Sequence, residues 1–379
     1  MFALEIYLDN SATTRVCPEA AEAAMNAMVN DYGNPSSTHA KGRAAMKLMY
    51  NARRQVAAAL GCESWELVFT SCGSESDNWA LWSGAEYVSR KGGHIISSTV
   101  EHDAIRKGLD ELERRGYEVT RLTPGPSGAV TPEQVREAIR PDTILCSLML
   151  VNNETGAVTD ISAVSKVLKS ACPNALMHTD AVQGFMKVPF KAKTLGADLI
   201  SISGHKIHAP KGIGALYIKK GVRLRPLIVG GSQEDGRRAG TENVPYICAF
   251  GAAAQAANEH AAEYQEHMRS LREYAAERLQ RENPGLVTIG GGAPHILSIS
   301  LPGYRSEVLM NFLEAREIYV SRSSACKKGA RSHVLEAMGL DPATIDGAIR
   351  IGLSRFTTKE EIDGLCRAIY DARRSLAHK

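Results

Sequence analysis

Several things are missing from this 379-residue chain, and each absence removes a class of function. No apolar run approaches the roughly 20 residues that a bilayer span requires. The formal net charge is only +3 and is evenly spread, so there is no basic footprint for nucleic acid or for an anionic membrane surface. The opening stretch "MFALEIYLDN" has neither a basic flank nor a small-residue cleavage site, which leads us to expect a cytoplasmic protein without a signal peptide. Eight cysteines stand at 17, 62, 72, 146, 172, 248, 326 and 366, and none forms a C-x-x-C pair. A zinc ribbon and a dithiol redox motif are therefore unwritten, and no metal site is expected. The chain also lacks G-x-x-x-x-G-K-[ST] and G-x-G-x-x-G, which leaves nucleoside phosphates without support. There is no internal repeat and no low-complexity segment.

What remains is an ordinary globular composition, 44% hydrophobic and 23% charged, long enough for one large domain and a smaller one. Apolar strand-like runs alternate with helical patterns: "ELVFT" (66–70), "HIISST" (94–99), "TILCSLMLV" (143–151), "ALMHTD" (175–180), "ADLISIS" (197–203) and "GALYIKK" (214–220). Continuous apolar strands separated by helices predict an α/β fold with a mainly parallel sheet covered on both faces. Past about residue 255 the texture changes. A long polar helix over roughly 251–282 leads into "HILSISLPG", "SEVLMNFLEAREI", "AIRIGLS" and a last helix from "TKEEIDGL", which reads as a smaller α+β domain.

Sheets of this kind hold ligands beyond the carboxyl ends of their strands. Ser74, His102, Asn153, Asp180 and Lys206 all stand at such ends. In "FTSCGSES" a Gly-containing turn opens a helix, so Ser74 either caps that helix or joins its free N–H groups in binding an anion. Asp180, with Gln183 three residues on, either caps a turn or holds a protonated ring nitrogen. His102 is either a structural histidine or a flat, titratable group stacked on a ring. Lys206 follows a buried strand in "ISGHKIHAPKG", where its amine sits in water, pairs with a carboxylate or is used chemically. A phosphate site, a carboxylate for a pyridine nitrogen, a flat histidine and an amine together make the parts of a pyridoxal phosphate pocket.

The order of these stretches resembles a known family. "YLDNSATT", "GNPSSTHAKGR", "FTSCGSESDN", "VEHDAI", "NNETG", "HTDAVQ", "SISGHKIHAPKGIGALY", "GGSQEDGRRAGTENV", "SSACKKGARSHVLEAMG" and "AIRIGLSRFTT" span almost the whole chain. They are similar to cysteine desulfurases of the NifS/IscS type, in the class V aminotransferase group of fold-type I pyridoxal phosphate enzymes. The resemblance implies a large domain (15–255) with a seven-stranded-type sheet and a small domain formed by 1–14 and 256–379.

It also implies residue roles. Lys206 is the cofactor-linking lysine, Asp180 the ring-nitrogen partner and Gln183 the partner of the ring hydroxyl. Gly73, Ser74, Ser203 and His205 hold the phosphate, and His102 stacks on the ring and moves protons. Asn153 lies beside ring and substrate, Arg355 pairs with the substrate carboxylate, and Cys326 is the nucleophile. Thr241 reaches the phosphate of a neighbouring subunit, which implies a homodimer. The implied reaction converts L-cysteine to L-alanine and leaves a persulfide on Cys326. The sulfur then passes to an acceptor protein, an iron–sulfur scaffold or a tRNA-thiolation enzyme, with no direct nucleic-acid or membrane partner.

Selenocysteine lyase, or another class V enzyme, is the alternative. Lys327 and Lys328 either lower the Cys326 thiol by charge proximity or form a solvated loop edge. Cys72 stands where the family usually has Gly, and Ser74 where it usually has Thr. The loop after Cys326 is about two residues shorter than the C-x-x-G-S-x-x-P-S-H-V-L form, which shortens the tether of a persulfide.

Overall fold

Apolar runs bounded by turn residues bury both faces of a strand, and the central sheet is built from such runs. In the computed structural model, which describes residues 5–322 and 331–376, the largest sheet among the described residues has seven strands. In spatial order they are Leu67–Thr70, Gly214–Ile218, Leu199–Ser203, Leu176–Asp180, Thr143–Ser147, His94–Ser98 and Glu118–Leu122. The strand Gly214–Ile218 runs antiparallel to both of its neighbours; the remaining pairs are parallel. Only the edge strand Glu118–Leu122 is half-exposed along its length. The run expected over 143–151 leaves the sheet ladder at Ser147.

One face of the sheet is covered by the helix Gly73–Val88, whose Trp79 and Leu81 join the core with Leu176, Leu199 and Leu216. The other face packs against the Ala-rich helices Ala40–Leu60 and Val244–Glu259, whose small side chains allow close approach. There Phe250 meets Phe69 and Phe185 edge-on, with ring centroids 6.4 and 6.3 Å apart.

A second, antiparallel sheet comprises Ser321–Arg322, Ala348–Gly352, Ile296–Ser300 and Val287–Ile289. Its core is shared with the helices Ala261–Glu282, Ser306–Glu314 and Lys359–Ser375. The single polar helix expected over 251–282 is two helices, Val244–Glu259 and Ala261–Glu282. His260 breaks them with φ −123 and ψ 23, a non-helical conformation.

The N-terminal segment ties these parts to the site. Ile6–Tyr7 pairs in parallel with Ile318–Tyr319, and Asn10 N donates to Gly352 O at 3.2 Å. A Cβ on Gly352 would lie 2.6 Å from Ser11 N, so only glycine lets the segment cross the end of this strand. Residues 11–14 are thereby carried over Lys206.

Candidate active site

Lys206 sits on a single 3-10 turn, Gly204–Lys206, directly after the buried strand Leu199–Ser203. Its Nζ donates to the backbone oxygens of Ser11 and Ala12, both at 2.7 Å. Burial, with the nearby Arg350 guanidinium, pushes this amine down to about 8, while Asp180 and Asp9 oppose the shift. Among the three uses open to a lysine here, the geometry favours chemistry. Its partners are carbonyl oxygens, and no carboxylate forms an ion pair with it among the described residues.

Asp180 ends the neighbouring strand, 7% exposed, and its Oδ1 accepts from Val182 N at 2.8 Å. Burial pushes its carboxyl up; His102, the Val182 N–H and Lys206 act against that. Gln183 donates to Ser11 O at 2.8 Å, and its Oε1 faces His295 Nε2 at 3.3 Å. The anion end lies at the start of the helix Gly73–Val88. A Cβ on Gly73 would meet Val182 Cγ2 at 2.7 Å and Ser203 Cβ at 3.6 Å, so the helix N-terminus and Ser203 share one small space. The Ser203 hydroxyl is buried and has no hydrogen-bond partner. Ser74 and His102 are exposed and line one cavity of about 520 Å³. His102 Nδ1 accepts from Ala104 N at 3.1 Å and so caps its helix. His205 Nδ1 faces Thr13 Oγ1 at 3.1 Å, and burial beside Lys206 pushes the ring down to about 4, leaving it neutral.

Three expected residues stand differently. Arg355 packs on aromatic rings, its guanidinium 5.1 Å from the Tyr264 ring centre and 4.9 Å from that of Phe356, and it is not among the charges that act on Lys206. The arginine at the site is Arg350, in the strand Ala348–Gly352, 3% exposed. Its Nη1 donates to Asn153 O at 2.8 Å, its Nη2 pairs with Asp9 Oδ1 at 2.9 Å, and its Nε has no partner. Reading the sequence missed Arg350. The available signal was its place between Ile349 and Ile351, which a strand turns to the opposite face. Thr241 lines a separate cavity of about 360 Å³ with Gly33 and Asn34. Cys326, with Lys327 and Lys328, lies outside the described residues.

The mostly parallel sheet, with an amine, a carboxylate and an anion cradle at its strand ends, defines a pyridoxal-phosphate type of α/β enzyme. The aminotransferase class-V family model matches residues 6–365, and the chain belongs to that family. It is 43% identical over 363 residues to a cysteine desulfurase of Trichormus azollae, covering 94% of this chain and 90% of the relative. A solved NifS-like protein is 38% identical with a TM-score of 0.93, covering 98% of this chain and 100% of that one. A solved complex of SspA with cysteine is 33% identical with a TM-score of 0.82, covering 93% and 100%.

Enzymes of this class depend on pyridoxal phosphate, and the residues present fit it. The unpartnered Ser203 hydroxyl, the side-chain-free Gly73 and the helix N-terminus suit a phosphate. Asp180 suits a ring nitrogen and Lys206 an aldehyde carbon.

Proposed function

We propose that this protein is a cysteine desulfurase that takes the sulfur of L-cysteine onto Cys326 and releases L-alanine. The observation that carries the reading is the convergence on the Lys206 amine of two charges, Asp180 at the end of its strand and Arg350 within the strand Ala348–Gly352. It gives an amino acid an amine to displace and a guanidinium for its carboxylate.

Pyridoxal phosphate, when bound, supplies an aldehyde for the substrate amine and an electron sink for charge developing at Cα. The helix start at Gly73, with Ser74, Ser203 and His205, holds the phosphate. Asp180 would keep the ring nitrogen protonated, and Gln183 would hydrogen-bond the ring hydroxyl. Lys206 would carry protons at the substrate Cα, with His102 as a second proton carrier. Arg350 fixes the substrate carboxylate, itself aimed by Asp9 and by the Asn153 carbonyl. The Cys326 thiolate takes the sulfur; the substrate Cβ–S bond breaks, and Cβ gains a proton to give alanine. Incubating the purified protein with L-cysteine and quantifying alanine against protein-bound sulfur tests the reading. Alanine without bound or released sulfur would refute it. Selenocysteine, offered in parallel, decides the alternative of a lyase for that substrate.

The reading extends to assembly and to sulfur acceptors. Met25, Val29, Tyr32 and Tyr50 expose large apolar side chains on or beside the helices Pro18–Val29 and Ala40–Leu60. Thr241 opens beside Tyr32 rather than toward Lys206. A second copy covering this face, with Thr241 completing its phosphate site, accounts for both features. The sulfur passes to an acceptor protein, an iron–sulfur scaffold or a tRNA-thiolation enzyme, in a cytoplasmic setting. The division into 15–255 and 1–14 with 256–379 remains the domain reading.

The two arginines separate experimentally. Removing one partner of a buried charge pair costs about 2–5 kcal/mol, so Arg350→Ala should lower kcat/KM for L-cysteine by roughly 30-fold or more. Arg355→Ala should stay within about fivefold, since its loss removes ring stacking of about 1 kcal/mol. Steady-state kinetics of both variants, with Arg350→Lys as the charge-keeping control, check this. The reverse order would return the role to Arg355.

A further inference from the structure

Against His178, two residues before Asp180 on the same strand and so on the same face, lies a buried acid that the proposed reaction does not use. Asp77, on the helix Gly73–Val88, is 1% exposed, and its Oδ1 has no hydrogen-bond partner. That oxygen stands 3.8 Å from Nε2 of His178. The His178 ring is fully buried, with Nδ1 2.8 Å from Ser147 Oγ and Nε2 3.0 Å from Ser201 Oγ. Burial pushes His178 down to about 3, so the ring is neutral and supplies no counter-charge. The other groups facing Asp77 are Asp180, Ser201, Glu101 and Cys72, and none of them is a cation. Glu101 is itself buried and pushed up to about 8, with Oε1 accepting from Ser98 Oγ at 2.5 Å and from Met149 N at 3.2 Å. Asp180, by contrast, faces Lys206 and His102 and accepts a backbone N–H. Two carboxyls in one dry site do not both ionise at low cost, and the neighbouring charges decide which one does.

We propose that Asp77 is a protonated carboxylic acid at neutral pH and acts as a positioning residue that keeps one negative charge, located on Asp180. The positioning role rests on the reading of Asp180 as partner of the ring nitrogen. An ionised Asp77 would raise the proton affinity of Asp180, which would then retain the proton that the ring nitrogen needs. A neutral Asp77 leaves Asp180 as a single anion beside the Lys206 amine. Burial and Asp180 push the Asp77 carboxyl up and outweigh the Ser201 hydroxyl, which acts the other way.

The first test uses the cofactor-free protein, so that it is independent of catalysis. An unfolded aspartate ionises near about 3.9, whereas folded Asp77 holds its proton to higher pH. The folded state therefore binds more protons over that window, and Asp77 lowers wild-type stability as pH rises. Asp77→Asn lacks this penalty. Its unfolding equilibrium constant, relative to wild type, should fall by up to about tenfold per pH unit until folded Asp77 ionises. Thermal melts between about pH 5 and pH 9 should show the variant gaining Tm on wild type. A difference that is flat or shrinks with pH overturns the protonated assignment. Where Asp77→Asn fails to fold, Asp77→Ala gives the same readout.

The second test reads the visible absorption of the holoenzyme. Asp77→Asn should keep the wild-type spectrum, because it replaces one neutral group by another, while Asp180→Asn should shift it. An equal shift in both variants overturns the placement of the charge. No shift in Asp180→Asn overturns the positioning role together with the ring-nitrogen reading, and the apoprotein melts still decide the protonation of Asp77.

Discussion

Replacing Lys206 by alanine should reduce alanine formation from L-cysteine by at least about 10³-fold, the scale seen when a covalent catalytic group is deleted. Lys206 Nζ is held by the carbonyls of Ser11 and Ala12 and offsets the charge of Asp180, so its removal is a local loss at the site, outside the hydrophobic core, and the fold should persist. The variant should still bind pyridoxal phosphate through the anion cradle and Asp180. Reduction with borohydride followed by mass analysis should nevertheless attach no cofactor to it. The competing amine is Lys187, which is 4% exposed, has an unpartnered Nζ and is pushed down to about 7 by burial. Recovery of the label on Lys187 in wild-type protein would sink the assignment. A pH dependence follows from the same lysine. Its folded value is lowered to about 8, so the neutral amine that attacks an aldehyde is scarce below that and abundant above it. The rate at which the apoprotein takes up the cofactor covalently should climb with pH and level off above about 8. A rate that falls over this range would mean that another group limits attachment.

Much of this was legible in the residues because the signals were local. The runs at 94–98, 176–180, 199–203 and 214–218 are continuous and apolar, and each became a strand buried at every position. Lys206 and Asp180 could be placed at strand ends for the same reason. What escaped depends on contacts distant in sequence. Nothing in "GALYI" indicates that Gly214–Ile218 runs against its neighbours, since a buried strand looks alike in both directions. The pairing of Ile6–Tyr7 with Ile318–Tyr319 joins segments more than 300 residues apart. His260 interrupts a pattern that composition alone reads as one helix, because the break is a matter of backbone angles. Arg350 and Arg355 are equally plausible carboxylate partners in "AIRIGLSRF". Only the packing separates them, with one against Asp9 and Asn153 and the other against Tyr264 and Phe356. The approach of Asp77 to His178 brings a helix against a strand about 100 residues later, and no spacing rule announces it.

Cys326→Ser should bind pyridoxal phosphate with its visible colour intact and still bind L-cysteine, since neither step needs the thiol. It should lose alanine release and the addition of one sulfur atom to the protein, both by roughly 10³-fold or more. Six of the other seven cysteines supply the reason; the seventh, Cys172, caps the end of the helix Ile161–Ala171 and does not line the cavity of Ser74 and His102. Cys17, Cys146, Cys248 and Cys366 are buried, and burial pushes the thiols of Cys248 and Cys366 up to about 11 and about 12. Cys62, half-buried, is likewise pushed up to about 12. Such groups carry almost no thiolate near neutral pH, and the thiolate is the nucleophile. Cys72 is the competitor that needs a control, because it is half-buried and caps the helix whose start forms the anion cradle. Its backbone is pinned against the sheet: a Cβ on Gly214 would lie 2.8 Å from the Cys72 carbonyl carbon. A thiol held there cannot both reach a substrate sulfur and then present it to an acceptor. Mass analysis of cysteine-treated wild type, Cys326→Ser and Cys72→Ser separates the two. Extra sulfur on Cys326, present in Cys72→Ser and absent from Cys326→Ser, is the expected pattern. Sulfur on Cys72, with Cys326→Ser fully active, would leave the fold and cofactor standing and overturn the transfer step.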